Sequence, residues 1–215
     1  MGRSTLMSET LIKEFRQQKS EGIDTQNDSL IFVGRNTRLE MMMLYNRKTL
    51  CLLAGIQLEH FKEAARVDPA TGVDNLPITL RDDGRPSSHA RYDELDVLAV
   101  ACAAQLAAGG GVVHRAMPFF VASKIVGSVL GLLPDAVRLK REGRELQFIG
   151  YVSLTAGGFN VADTMGKIAL KIATDYPDEV VNVFLTSPAS VAVAIEARAA
   201  AEGIDWKTER LWQAE

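Results

Sequence analysis

Lys62 and Arg66 are four residues apart, so on a helix they share one face, a single turn from each other. Two cations so placed can straddle a phosphate. Gln57 and His60, just before them, carry groups that can reach a base edge or a phosphate oxygen. More basic groups flank this stretch: Arg47 and Lys48 ahead of it, then Arg81, Arg85 and Arg91 behind it, the last beside Tyr92. The chemistry these residues suggest is recognition of double-stranded DNA. Glu59 and Glu63 pull the other way, because at helical spacing they can pair with the cations and leave only a solvated face.

Other chemistry finds less support. His60, His89 and His114 have no histidine partner at a spacing of four, and no carboxylate stands at ligand spacing. Cys51 and Cys102 are far apart in apolar surroundings, which predicts buried small hydrophobes rather than metal ligands. Gly157-Gly158 precedes Gly166-Lys167, but that spacing is too long for a Walker A loop, and Ile168 stands where Ser or Thr is needed. We expect no catalytic residues, no metal and no cofactor, and no enzyme activity.

The candidate contacts need elements to carry them. Within the run Thr49 to Lys62 an apolar helix ends in Ala54-Gly55-Ile56-Gln57, and a second short helix begins at once and runs from Leu58 to about Arg66. That is the sequence form of a helix-turn-helix. Gly55 can take the left-handed conformation that closes the first helix, and Ile56 plugs the corner. Phe61 falls where the second helix meets its partner. Ile78 to Arg85 then reads as a hairpin with Asp83-Gly84 at its tip, a wing, with Arg85 placed to follow a groove. Arg91 to Gly109 reads as a long helix with its acidic residues in the first turn, where the helix dipole favours them.

In this order the parts resemble the MerR-like winged-helix family. The matching residues are Leu53-Ala54-Gly55-Ile56-Gln57, then Phe61, Arg91-Tyr92, Leu95, Leu98, Leu106 and Gly109. They cover roughly residues 45–117, a typical small-domain length. The resemblance implies a major-groove helix at 58–66, a wing beside it and a homodimer. Family members carry Arg and Tyr early in the recognition helix, where this chain reads Leu58-Glu59-His60-Phe61-Lys62-Glu63.

The chain has 215 residues, 47% hydrophobic and 24% charged, with a net charge of −3. It is long enough for one large domain or two small ones. No apolar run reaches bilayer length, and the first residues lack a signal core, so we expect a cytoplasmic protein without membrane contact. Residues 47–91 hold seven basic and six acidic groups, which predicts weak, salt-sensitive DNA binding per subunit.

We expect an α+β chain with an N-terminal helix and arm (1–44), a winged helix-turn-helix with a following helix (45–133), and a small α/β domain (134–215). The arm should hold a helix over 7–22 and short strands at 30–33 and 39–44. His114 to Leu133 has helical spacing, with Pro118 in its first turn. Val137–Lys140 and Glu145–Leu154 read as a hairpin and Val161–Thr174 as a helix. Val180–Leu185 reads as a strand, and a last helix capped by Ser187 runs through Ala201. The leading expectation is a homodimeric transcription regulator, with a small effector or protein partner at the C-terminal domain. The alternatives are a protein-interaction module on the same fold without DNA binding, and a ligand-binding C-terminal domain.

Overall fold

Among the described residues, Asn46 opens the first helix, α1 (Arg47–Ala54), by accepting a hydrogen bond from the Thr49 amide at 3.0 Å. Gly55 closes it with φ +71°. The Ile56 amide reaches back to Cys51 O and the Gly55 amide to Leu52 O, which is a Schellman closure. Gln57 stands at the N-cap of α2 (Leu58–Ala64), in extended backbone. The computed structural model describes residues 44–66, 76, 91–108 and 117–212, all within one unit, Met42–Glu215. The helix expected at 7–22, the strands at 30–33 and 39–44 (save Leu44) and the hairpin at 78–85 lie outside the described residues.

A capping box starts α3 (Glu94–Ala107): the Asp96 amide donates to Asp93 Oδ1 at 2.8 Å, and the Asp93 amide to Asp96 Oδ2 at 3.0 Å. This helix is apolar nearly all round and is the central one, buried from Val97 to Ala103. Pro118 stands at the N-cap of α4 (Phe119–Ser128), after which a 3-10 turn at Leu130–Leu132 leads into α5 (Leu133–Arg141).

Here the structure corrects two readings. Val137–Lys140 is helix, not the first strand of a hairpin. Leu133, Ala136 and Val137 have helical spacing and bury one face, Pro134 starts the helix, and Arg138, Lys140 and Arg141 fill its last turn. The hairpin is instead β1 (Gln147–Leu154) with β2 (Gly157–Thr164), joined by the two-residue turn Thr155–Ala156. The helix read from Val161 therefore begins only at Met165, as α6 (Met165–Asp175), capped by Thr164. The strand β3 (Val180–Thr186) and α7 (Pro188–Glu202), capped by Ser187 and closed by Gly203, lie close to where expected. A 3-10 turn at Thr208–Leu211 ends the described chain.

The sheet is antiparallel throughout, in the order β2-β1-β3. Ile149, Tyr151 and Phe184 turn one face to the helices. Val152, Val161 and Val183 turn the other toward Ile168 and Ile172 of α6. Gly150 lets β3 approach, since a Cβ there would fall 1.8 Å from Phe184 O. The fold is thus α+β. One core runs through Leu50, Phe61, Leu98, Val126, Leu133, Ile149 and Ile195, so packing is continuous across residue 133. Among the described residues no single helix is long and apolar enough to cross a membrane.

Candidate nucleic-acid interface

The second helix owes its place to one aromatic. Phe61 is fully buried, and its ring meets Tyr92 edge-on, with centroids 5.8 Å apart and planes at 87°. The Arg47 guanidinium lies 6.0 Å from the Phe61 centroid and hydrogen-bonds the Tyr92 side chain. Burial pushes the Tyr92 phenol up, and Arg47 partly offsets that. Tyr92 also pairs with Tyr45 backbone to backbone, at 2.7 and 3.0 Å. At 2% exposure it leaves almost no surface for a ligand. Arg47 and Tyr92, both read as candidate contacts, thus come together as the support under α2.

The other described candidates are exposed. Gln57, His60, Lys62 and Arg66 point outward from the turn and from α2, and Lys48 and Arg91 are also at the surface. Lys62 Nζ lies 2.8 Å from Glu59 Oε1, so one of the two expected ion pairs forms. Both partners are well exposed, and such a pair is worth only about 0.2–1 kcal/mol, little enough for a phosphate to displace. Arg81 and Arg85 lie outside the described residues. The two thiols are free and buried as expected, and burial pushes Cys51 up to about 11.

Two features have no counterpart in the sequence reading. Arg198, on α7, donates from Nη1 to Leu53 O at 2.8 Å, satisfying a carbonyl in the last turn of α1. Its guanidinium covers Gly55, where a Cβ would come within 2.9 Å of it. The C-terminal half therefore touches the turn between α1 and α2. Glu94, 1% exposed, is the second feature. It accepts from Arg210 Nη1 at 3.1 Å and shares the one Tyr45 hydroxyl hydrogen, also at 3.1 Å, with the Asp205 carbonyl, while Arg210 Nη2 reaches Asp205 at 2.6 Å. Burial pushes the Glu94 carboxyl above its ordinary value against the pull of these donors. The Arg210 hydrogen bond holds Asp205 below its own. A partner more than a hundred residues away leaves no local signal. Asp93 and Asp96 beside Glu94 are acidic too, so the sequence around it reads as an ordinary charged first turn.

Comparison with family models, with curated proteins and with solved structures gives no match for this chain.

Proposed function

We propose that this chain is a DNA-binding transcription regulator that uses a MerR-like winged helix-turn-helix, working as a homodimer. The observation that carries the reading is the Gly55 turn. It joins two helices so closely that Phe61 enters the core, while Gln57, His60, Lys62 and Arg66 remain exposed on and just after the second helix. In this reading α2 enters a major groove, Lys62 and Arg66 engage phosphates, and Gln57 and His60 lie nearest the base edges. Lys48 and Arg91 add backbone contacts, and Arg81 and Arg85 act from the wing. An effector or protein partner at the C-terminal half would act on the turn through Arg198.

The test is a mobility-shift salt series with the native chain on its own upstream region and on a random duplex. Preference for one duplex, with affinity falling as salt rises, supports the reading. Lys62→Ala and Arg66→Ala should each lower the slope of log affinity against log salt by about 1 and weaken binding to all sequences alike. No retention even at low salt overturns it. The Lys62–Glu59 pair favours a second reading, a protein-interaction module on the same fold, because it offsets charge on α2. Association with a protein partner that survives high salt would single that reading out.

A further inference from the structure

Arg198 is placed unlike the other arginines of the C-terminal half that reach across the fold. Arg141 meets Glu196 and Glu209, and Arg210 meets Glu94 and Asp205. Among the described residues no carboxylate meets Arg198, and Leu53 O is its one hydrogen-bond acceptor. A guanidinium carries a fork of N–H donors that suits a phosphate. The bond to Leu53 uses Nη1 alone, so Nη2 and Nε have no acceptor among the described residues, and Arg198 is exposed.

The chain places that fork at the turn. Helix carbonyls point toward the C-terminal end of the helix, so a donor to Leu53 O, in the last turn, stands just past the end of α1. There the guanidinium lies against Gly55, where a Cβ would come 2.9 Å from both Cζ and Nη2. Gln57 follows at the N-cap of α2, exposed and with no capping bond from its side chain. Arg198 and Gln57 thus reach the same turn from distant parts of the sequence.

In a helix-turn-helix the first residues of the second helix meet base edges, and the phosphate backbone borders them. We propose that Arg198 binds a DNA phosphate beside the start of α2, so that the C-terminal half supplies part of the interface. The inference rests on the DNA reading above and adds to it a contact outside the helix-turn-helix. The bond to Leu53 O orients the guanidinium before DNA arrives, so little side-chain freedom is lost on binding. The same bond also closes α1, since a cation near the last carbonyls of a helix is favoured by its dipole. The two roles call on different properties. Closing the helix needs a donor, and holding a phosphate needs a charge.

Two variants separate them. Arg198→Gln keeps an N–H donor and loses the charge, whereas Arg198→Lys keeps the charge. Both replace an exposed side chain, and a circular dichroism melt would verify that each is folded. In the mobility-shift salt series, Arg198→Gln should lower the slope of log affinity against log salt by about 1 per subunit. It should weaken binding to the preferred and the random duplex by the same factor, because a phosphate carries no sequence. Arg198→Lys should keep the native slope. A folded Gln variant with the native slope, or one slope shared by both variants, overturns the proposal and leaves the DNA reading standing. A native chain that binds neither duplex overturns both.

Discussion

Phe61 holds more of the structure than any charged residue near it. Its ring is completely enclosed and is contacted by Tyr92 and Arg47. Phe61→Ala should cost about 3–5 kcal/mol in denaturant unfolding, far more than any change on the exposed face of α2. Glu94 makes a prediction about pH. Its folded-state value is raised above the ordinary 4.5, so the folded chain holds the proton more tightly than the unfolded one. The stability it contributes is present below that ordinary value and is lost as pH rises through the folded value. Glu94→Gln should remove this component from the slope of melting temperature against pH across that window. An unchanged slope would mean that Glu94 is not the group titrating there. Asp205 acts in the opposite sense, since its lowered value makes its contribution fade as pH falls.

At the scale of elements, the α1–α2 turn depends on a backbone conformation that only glycine adopts cheaply. Gly55→Ala places a side chain at φ +71° and against the Arg198 guanidinium. The backbone part alone should cost about 1–2 kcal/mol. In a double-mutant cycle with Arg198→Ala the two effects should fall short of additivity, because removing the guanidinium relieves the clash. Gly150→Ala is more severe, since the clashing atom is the Phe184 carbonyl of the neighbouring strand. That variant should lose cooperative thermal unfolding. Local signals made several elements legible in advance: Ala54-Gly55-Ile56 for the turn, Asp93 with Asp96 for the start of α3, and Ser187-Pro188 for α7. The helix at 133–141 was missed because Val137-Arg138-Leu139-Lys140 alternates like a strand, while its helical pattern shows only when Leu133 and Ala136 are included. Strand β2 was missed because Val161 continues into a true helix, so the boundary at Thr164 has no apolar break.

For the whole molecule, the winged-helix candidate and the C-terminal half are not separable pieces. Leu133 and Ile195 share a core with Leu50 and Phe61, and Arg198 and Arg210 tie α7 and the last turn to α1 and α3. Unfolding followed by tryptophan fluorescence, from Trp206 and Trp212 near the C-terminal end, should therefore coincide with unfolding followed by far-ultraviolet dichroism. Two separate transitions would mean independent domains. None of these ties was legible in the sequence, because each joins residues far apart in the chain, whereas the exposure of His60 and Lys62 on either side of the buried Phe61 fits helical spacing. Tyr45, near the start of the described unit, donates its hydroxyl to the backbone of Asp205, near the end, at 2.8 Å. Arg210 reaches the same Glu94 oxygen as Tyr45, so the two ends of the described residues lie close together in space. A short linker could join them and the chain could be reopened at the exposed Thr155–Ala156 turn, giving a circular permutant with new termini at the tip of the β-hairpin.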